Sequence, residues 1–569
     1  MLLDHYGNTE YIRTDDQVKA DERILGGLVK FSRYYILPAA VLVQFCSGSL
    51  YAWSVLNKPV DNLLFDNENA NRASATFYIA IGFFGFGAAI FGPWIERNSP
   101  RRCSTVGTML FAIGNMLAAL ALQYRQLWLL YVGYGMVTAC GIGINYVTTT
   151  SIVQKWYPNS RGLAAGFAVC GFGGGALAFT KVRIMLYRST SLPIMFVIEG
   201  ALFFIIMFSS AQVFRAPPPG YYVNGLTLQE DSKGRVQRAF APTDDVEKQA
   251  NIKEGHHLSG SAMNGHNNNL MGGKSFASGM GDDSEFSHSP QSGTAAVMEE
   301  KPTIKITLIQ ALQSRDLWML YYLFFANLVF GLVIISRLSP MVQDLFYSRN
   351  DDNFVPKNER ADRAANIVMI DGMFNIAGRL ILSTVSDYIG RKPTFMIMLC
   401  AQIIMIVCLP IAMHNGCYWA FLLTSWGATF FYGGGTGVMP AFIADMFGPG
   451  NVSACHGIII TAWSIGGIAG GFTFNAIYNS MMAHGYSVSD PYPYTVNLYW
   501  ILAIKCVGII ILVLLRSKLR DRLFPAVPGQ VLRTRLFGRM VRVIRKSKWR
   551  FKVEILSHEQ EEVEWDDYL

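Results

Sequence analysis

Arg379 lies in an apolar stretch, eight residues before Asp387. On a helix, eight residues rise about 12 Å. If Asp387 marks a helix end at one face of a bilayer, Arg379 sits near the middle of hydrocarbon roughly 30 Å thick. A cation at that depth is costly unless it faces a cavity or a partner. Its planar fork of donors can hold a carboxylate through two hydrogen bonds, so the chemistry it offers is capture of a small organic anion. The competing reading is a structural ion pair between helices.

Other side chains could complete such a site. Tyr51, Trp53, Tyr146 and Tyr432 are aromatic residues with polar edges inside apolar stretches. Hydroxyls of this kind can donate to a carboxylate while the rings set the size of a cavity, although each alone is more often a packing residue. Arg337 with Asp371, and Lys181 with Glu199, fall at matching depths and are expected to form ion pairs. Asp371 and His456 are the candidates for proton coupling, His456 because an imidazole titrates near neutral pH. The bland reading of His456 is helix packing. Lys505, central in the last apolar stretch, reads as a snorkelling or packed lysine.

Several chemistries are excluded. The nine cysteines lie mostly in apolar blocks and form no C-x-x-C pair, so no metal or disulfide framework is expected. Gly171-Phe172-Gly173-Gly174-Gly175 and Gly433-Gly434-Gly435 lack the Lys-Ser/Thr of a phosphate loop and suit close helix approach instead. With no H-E-x-x-H and no nucleophile–base–acid arrangement, neither an enzyme nor a cofactor is expected.

Positioning these residues requires membrane helices. The chain has 569 residues, 51% hydrophobic and only 15% charged, against about a quarter charged in soluble proteins. Blocks of the length a bilayer demands, about 20 residues, recur twelve times. The first six lie near 34–56, 74–95, 103–123, 127–153, 162–186 and 193–214. The second six lie near 317–345, 364–386, 393–413, 417–444, 454–480 and 494–515. The fold expected is an all-α polytopic membrane protein, twelve transmembrane helices in two pseudo-symmetric six-helix bundles, 34–214 and 317–515. Residues 1–33 form a tail without the pattern of a signal peptide. The polar, Gly- and Ser-rich segment 215–316 reads as a disordered linker.

Internal echoes support the duplication. Glu96-Arg97, followed by Pro100-Arg101-Arg102, stands after the second span, and Asp387 through Gly390-Arg391-Lys392 after the eighth. Arg161-Gly162 and His456-Gly457 open the fifth and eleventh spans alike. Residues 516–552 carry 13 Lys and Arg against one acid, which places the C-terminus in the cytosol, with the N-terminus and linker beside it. The net charge of +8 therefore reports topology, not nucleic-acid binding. Within the tail 516–569, the segment 531–553 reads either as an amphipathic helix on the anionic leaflet or as a solvated basic stretch. The acidic end is expected to be solvated.

The acid–turn–basic loops resemble the signature of the major facilitator superfamily, with Glu96 where an Asp is usual and Ser99 where a Gly is usual. Gly48-Ser49-Leu50-Tyr51-Ala52-Trp53-Ser54, Asn375-Ile376-Ala377-Gly378-Arg379, and His456-Gly457 with Thr461-Ala462-Trp463-Ser464 resemble the oxalate:formate antiporter and monocarboxylate transporter group within it. The resemblance covers the chain apart from its ends and linker. It implies alternating access by two bundles, as proton symport or anion exchange, with Glu96, Arg97, Arg101, Asp387, Arg391 and Lys392 as cytosolic latches. It also implies an anion-binding role for Arg379. The oxalate-transporting members resemble one another in a lysine opening the eleventh helix, where this chain has Ala454-Cys455-His456. One fixed cation favours a monocarboxylate, or an anion moving with a proton. Partners are then the anion, a proton and the lipid bilayer, with the chain acting as a monomer in a plasma or internal membrane. The alternative is a non-transporting sensor on the same fold.

Overall fold

In hydrocarbon a backbone must satisfy its own N–H and C=O groups, and an apolar stretch does so as a helix. The computed structural model describes residues 13–567 apart from 22, 25–28, 68–71, 219–220, 224–225, 228–306, 348–354, 357–358, 519–520, 523, 525, 537–538 and 548–549. Twelve long helices carry the fold. The first half comprises α1 (Arg33–Phe65), α2 (Ser74–Arg97), α3 (Pro100–Gln123), α4 (Leu127–Trp156), α5 (Arg161–Ser189) and α6 (Leu192–Ala211). The second comprises α7 (Arg315–Tyr347), α8 (Arg360–Ile389), α9 (Arg391–His414), α10 (Tyr418–Phe447), α11 (Val452–Ala483) and α12 (Tyr492–Leu514). Eleven are long and apolar enough to cross a membrane. α10 falls short because Gly433-Gly434-Gly435-Thr436-Gly437 dilutes it. Its second half is almost wholly buried in protein, so it has little lipid to face. Three helices are not regular throughout: α1 tightens into a 3-10 helix over Gly48–Leu56, α4 widens to a π-helix over Tyr131–Thr138, and α7 ends in a π turn over Gln343–Tyr347.

The halves meet along two equivalent helix pairs, α2 with α11 and α5 with α8. Glycine permits the approach. A Cβ on Gly457 of α11 would stand 2.1 Å from the Ala88 carbonyl oxygen of α2, and one on Gly162 of α5 would stand 2.4 Å from the Ser383 carbonyl oxygen of α8.

The C-terminal segment departs from both expectations for it. It folds as an antiparallel sheet of β1 (Gln530–Leu536), β2 (Arg539–Ser547) and β3 (Arg550–Ile555), followed by α13 (His558–Asp566). The alternation Arg539-Met540-Val541-Arg542-Val543 has the two-residue period of a strand, and the β-branched residues favour it. Nor is the acidic end merely solvated: Glu561 pairs with Arg535 and Glu564 with Arg542, over a small core of Phe524, Met540, Leu556 and Trp565. The expected unstructured linker lies, over 228–306, outside the described residues. Its described ends hold a short hairpin (Tyr222–Val223 with Leu226–Thr227) and a helix, Leu308–Gln313.

Inside the first half, Glu199 of α6 pairs with Arg183 and not with the expected Lys181. Residues two apart on a helix face nearly opposite ways, and Lys181 points outward, exposed. Arg183 donates through Nε and Nη2 to Glu199 at 3.0–3.1 Å, through Nη1 to the Ser49 carbonyl at 2.9 Å, and through Nη2 to the Tyr134 hydroxyl at 3.3 Å. One guanidinium thus ties α5 to α1, α4 and α6. Breaking one partner of a buried pair strands the other charge. Arg183→Met should therefore cost about 3–5 kcal/mol, read as a lower unfolding temperature of the purified protein. Arg183→Met with Glu199→Leu should recover most of that loss. An equal loss in the double variant would assign the effect to the Ser49 and Tyr134 bonds instead.

Candidate functional site

Asp371, Asn375, Arg379, Ser383 and Asp387 recur every four residues along α8, a ridge that drifts about 40° per step, so that Asp371 meets Thr429 of α10 while Asp387 meets the start of α5. Arg379 is 2% exposed. Its Nε donates to Asn375 Oδ1 at 2.8 Å and its Nη1 to the Val169 carbonyl of α5, in the other half, at 2.9 Å. Among the described residues no acid pairs with Arg379, and its Nη2 makes no hydrogen bond. The other buried arginines of the interface and first half differ: Arg161, Arg183 and Arg391 each have a carboxylate within 3.3 Å. Lys505 is buried too, and its ammonium is held inside the second half by the Ala326 carbonyl and Gln402 Oε1, both at 2.6 Å. It is packed, not snorkelling.

Three of the four expected aromatics converge beside Arg379. Phe172, whose ring meets those of both Tyr51 and Tyr146, lies one turn of α5 from Val169, whose carbonyl Arg379 holds. The Tyr51 and Tyr432 hydroxyls lie 3.1 Å apart across the interface, and Trp463 Nε1 donates to the Tyr432 hydroxyl at 3.1 Å. Phe84 and Phe172 close the group: Phe172 lies 5.0 Å from the Tyr51 ring, and Phe84 lies 5.4 Å from Tyr146 and 5.1 Å from Trp463. Trp53 does not join. Two residues beyond Tyr51, it faces into the first half, 4.5 Å from Tyr134, with Nε1 donating to the Ala73 carbonyl at 3.1 Å. Sequence reading missed Phe84 and Phe172, which carry no polar atom to single them out, and used Trp463 and Asn375 only as family markers.

The two candidate proton sites are both buried. His456 Nδ1 is 3.3 Å from Thr150 Oγ1 across the interface, its ring stands 5.6 Å from Tyr146, and its Nε2 has no partner among the described residues. Asp371 accepts from Thr429 Oγ1 at 2.5 Å. The expected Arg337–Asp371 pair is not formed. The Arg337 guanidinium sits 4.9 Å over the Phe474 ring of α11, so it is turned away from α8.

The face of the helices that carries the segment around Asp21 and the C-terminal sheet is shut by a repeated device. Asp387, ending α8, accepts from the backbone N–H groups of Gly162 at 2.9 Å and Leu163 at 2.8 Å, in the first turn of α5. Glu96, ending α2, accepts from the Ser453 N–H at 2.6 Å, in the first turn of α11. Free N–H groups and the positive end of the helix dipole make these first turns natural carboxylate sites. Arg391 holds Asp387 at 2.7 Å and Asp445 at 2.9 Å, Arg161 crosses to Asp445 at 3.3 Å, and Lys155 holds Glu96 at 2.9 Å. Among the described residues, the bonds of three expected latch residues stay within one half. Arg97 donates to its own helix at the Pro93 carbonyl, Arg101 binds Asp21 of the N-terminal segment at 2.8 Å, and Lys392 caps the end of α12. Asp445 escaped notice because it lies outside the repeated motif.

Comparison with known proteins agrees with this architecture. The sequence profile described as Major Facilitator Superfamily matches residues 31–471. An uncharacterized MFS-type transporter of Escherichia coli (strain K12), YhjX, is 23% identical over 437 residues, 77% of this chain and 86% of that one. The oxalate:formate antiporter of Oxalobacter formigenes is 22% identical over 451 residues, 78% of this chain and 84% of that one. Among solved structures, the proton:xylose symporter XylE shares the fold with a TM-score of 0.54 at 16% identity, over 84% of this chain and 94% of that one. A family match running from α1 into α11, on twelve helices in two six-helix halves, shows that this chain is an integral, multi-pass member of the major facilitator superfamily of membrane transporters.

Proposed function

We propose that this chain is a secondary transporter of a small organic anion, with Arg379 as its anion-binding group. The observation that carries the proposal is a guanidinium buried between the halves with no acid answering it among the described residues. A cation there is stable when neighbouring dipoles or a mobile anion offset it. Asn375 and the Val169 carbonyl hold its Nε and Nη1, which leaves Nη2 for a carboxylate oxygen. The Tyr51 and Tyr432 hydroxyls are the next donors. Phe84, Phe172 and Trp463 keep water out, which strengthens each charged hydrogen bond, and their rings restrict the guest to a small molecule.

With no lysine at the start of α11, a monocarboxylate, or an anion accompanied by a proton, balances the site best. Asp371 and His456 are the residues proposed to take that proton. The name of the Oxalobacter relative supports a carboxylate substrate. The transport cycle proposed is alternating access. The Asp387 and Glu96 bonds hold one face shut in this conformation, and their release opens it. The 13 basic residues against one acid over 516–552 support a cytosolic location for that face. One chain contains the whole site, so the unit is proposed to be a monomer.

Uptake of radiolabelled formate, oxalate, lactate and pyruvate into proteoliposomes tests the substrate. Arg379→Gln removes charged hydrogen bonds worth about 1.5–3 kcal/mol each, so apparent affinity should fall roughly 10- to 100-fold. Unchanged uptake would return Arg379 to a structural role, and carboxylate binding without flux would favour a sensor. Acceleration by an inward proton gradient would indicate symport, and a requirement for internal anion would indicate exchange. A separate variant, Asp387→Asn, should lower the maximal rate by about tenfold, since about 1.4 kcal/mol is a factor of ten, with little change in apparent affinity. A rate equal to wild type would rule out the latch.

A further inference from the structure

The C-terminal sheet has one face covered by α13 and one face that meets the end of α12 at Thr534 and is exposed along its last strand. Register sets the two faces. Thr534, Val541 and Ile555 stand side by side across the strands, as do Leu532, Val543 and Val553, and Phe551 lies opposite Arg545. All belong to one face, because residues two apart share a side of a strand. The other face carries Arg535, Met540 and Arg542, and α13 covers it through the Glu561 and Glu564 pairs and Trp565.

The direction of the exposed face follows from Thr534. Its hydroxyl donates to the Val513 carbonyl at 2.6 Å and accepts from Lys392 Nζ at 2.8 Å, and the same ammonium donates to the Leu515 carbonyl at 2.8 Å. The last carbonyls of a helix point along its axis, out of its end. A group that caps them lies beyond the end and looks back along the helix. The face that carries Thr534 therefore looks back toward the bilayer that α12 leaves.

That face is apolar and basic. Phe551, Val553 and Ile555 are 56%, 60% and 60% exposed, matching Ile205 and Ile510 on the spanning helices at 62% and 61%. Arg539 and Arg545 bracket the stripe on the same side of β2, and both are exposed. Residues 531–553 contain nine Lys and Arg and no Asp or Glu. An apolar stripe between arginines, held at the level of a helix end, fits an interface of acyl chains beneath anionic headgroups. We infer that the C-terminal sheet docks by this face on the anionic surface of the leaflet next to α12, making the tail a monotopic anchor of the second half.

The test uses the full-length protein in vesicles, of zwitterionic lipid alone or with added phosphatidylserine. A bimane fluorophore is placed at Val553→Cys, or at Val563→Cys on α13, with the other reactive cysteines changed to serine. With phosphatidylserine present, the label at 553 should be quenched by nitroxide-bearing lipid and shielded several-fold from aqueous iodide, and the label at 563 should show the reverse. Arg539→Gln with Arg545→Gln leaves the apolar stripe intact and should remove most of the dependence on phosphatidylserine. Equal iodide access at 553 and 563 in both vesicles would overturn the inference. Shielding of 553 from both iodide and lipid quencher would also overturn it, since a protein would then cover the face.

Discussion

A charge inside a membrane must be answered by another charge or by several dipoles, because hydrocarbon offers it neither. The buried charges of this chain sort by how they are answered. Arg183 and Glu199 answer each other inside one half and hold four helices together. Lys505 is answered by a carbonyl and an amide within the other half. Arg379, between the halves, is bonded to an amide and a carbonyl and, among the described residues, to no carboxylate. A fully answered charge fixes a structure. Under the function proposed, the incompletely answered one at the interface leaves a place for a guest.

In the transport cycle proposed, the same rule lets the interface both close and open. Asp387 and Glu96 are answered across it by backbone N–H groups at the first turns of α5 and α11. Those groups need a partner in any conformation, and water can replace the carboxylates once the face parts. The bonds are therefore strong enough to hold one state and replaceable enough to release it. Repetition of the device in both halves distributes the closure over two helix pairs, where Gly162 and Gly457 let the backbones approach.

Depth was legible in the sequence, and azimuth was not. Spacing along a helix placed Arg379 about two turns inside Asp387, and the recurrence of apolar blocks located the twelve helices. Pairing across helices depends on which way each side chain turns, and there expectation failed. Lys181 and Arg183 have nearly the same depth, yet only Arg183 faces α6. Arg337, expected opposite Asp371, lies instead on the Phe474 ring. Tyr51 reaches the interface, while Trp53, two residues on, packs away from it. Phe84 and Phe172 carry no sequence signal that separates a cavity wall from lipid-facing bulk. In the tail, the density of Arg and Lys masked the two-residue alternation that makes strands of 530–555.

The direct question is whether the Arg379 guanidinium is the group an anion finds. Thermal unfolding of the purified protein, with and without small carboxylates, measures this without requiring flux, since a ligand that binds only the folded state raises its stability. Wild type should unfold at a higher temperature in the presence of at least one carboxylate, Arg379→Gln should show no such shift, and a neutral sugar should stabilise neither. An equal carboxylate shift in Arg379→Gln would contradict the assignment of Arg379 as the anion site.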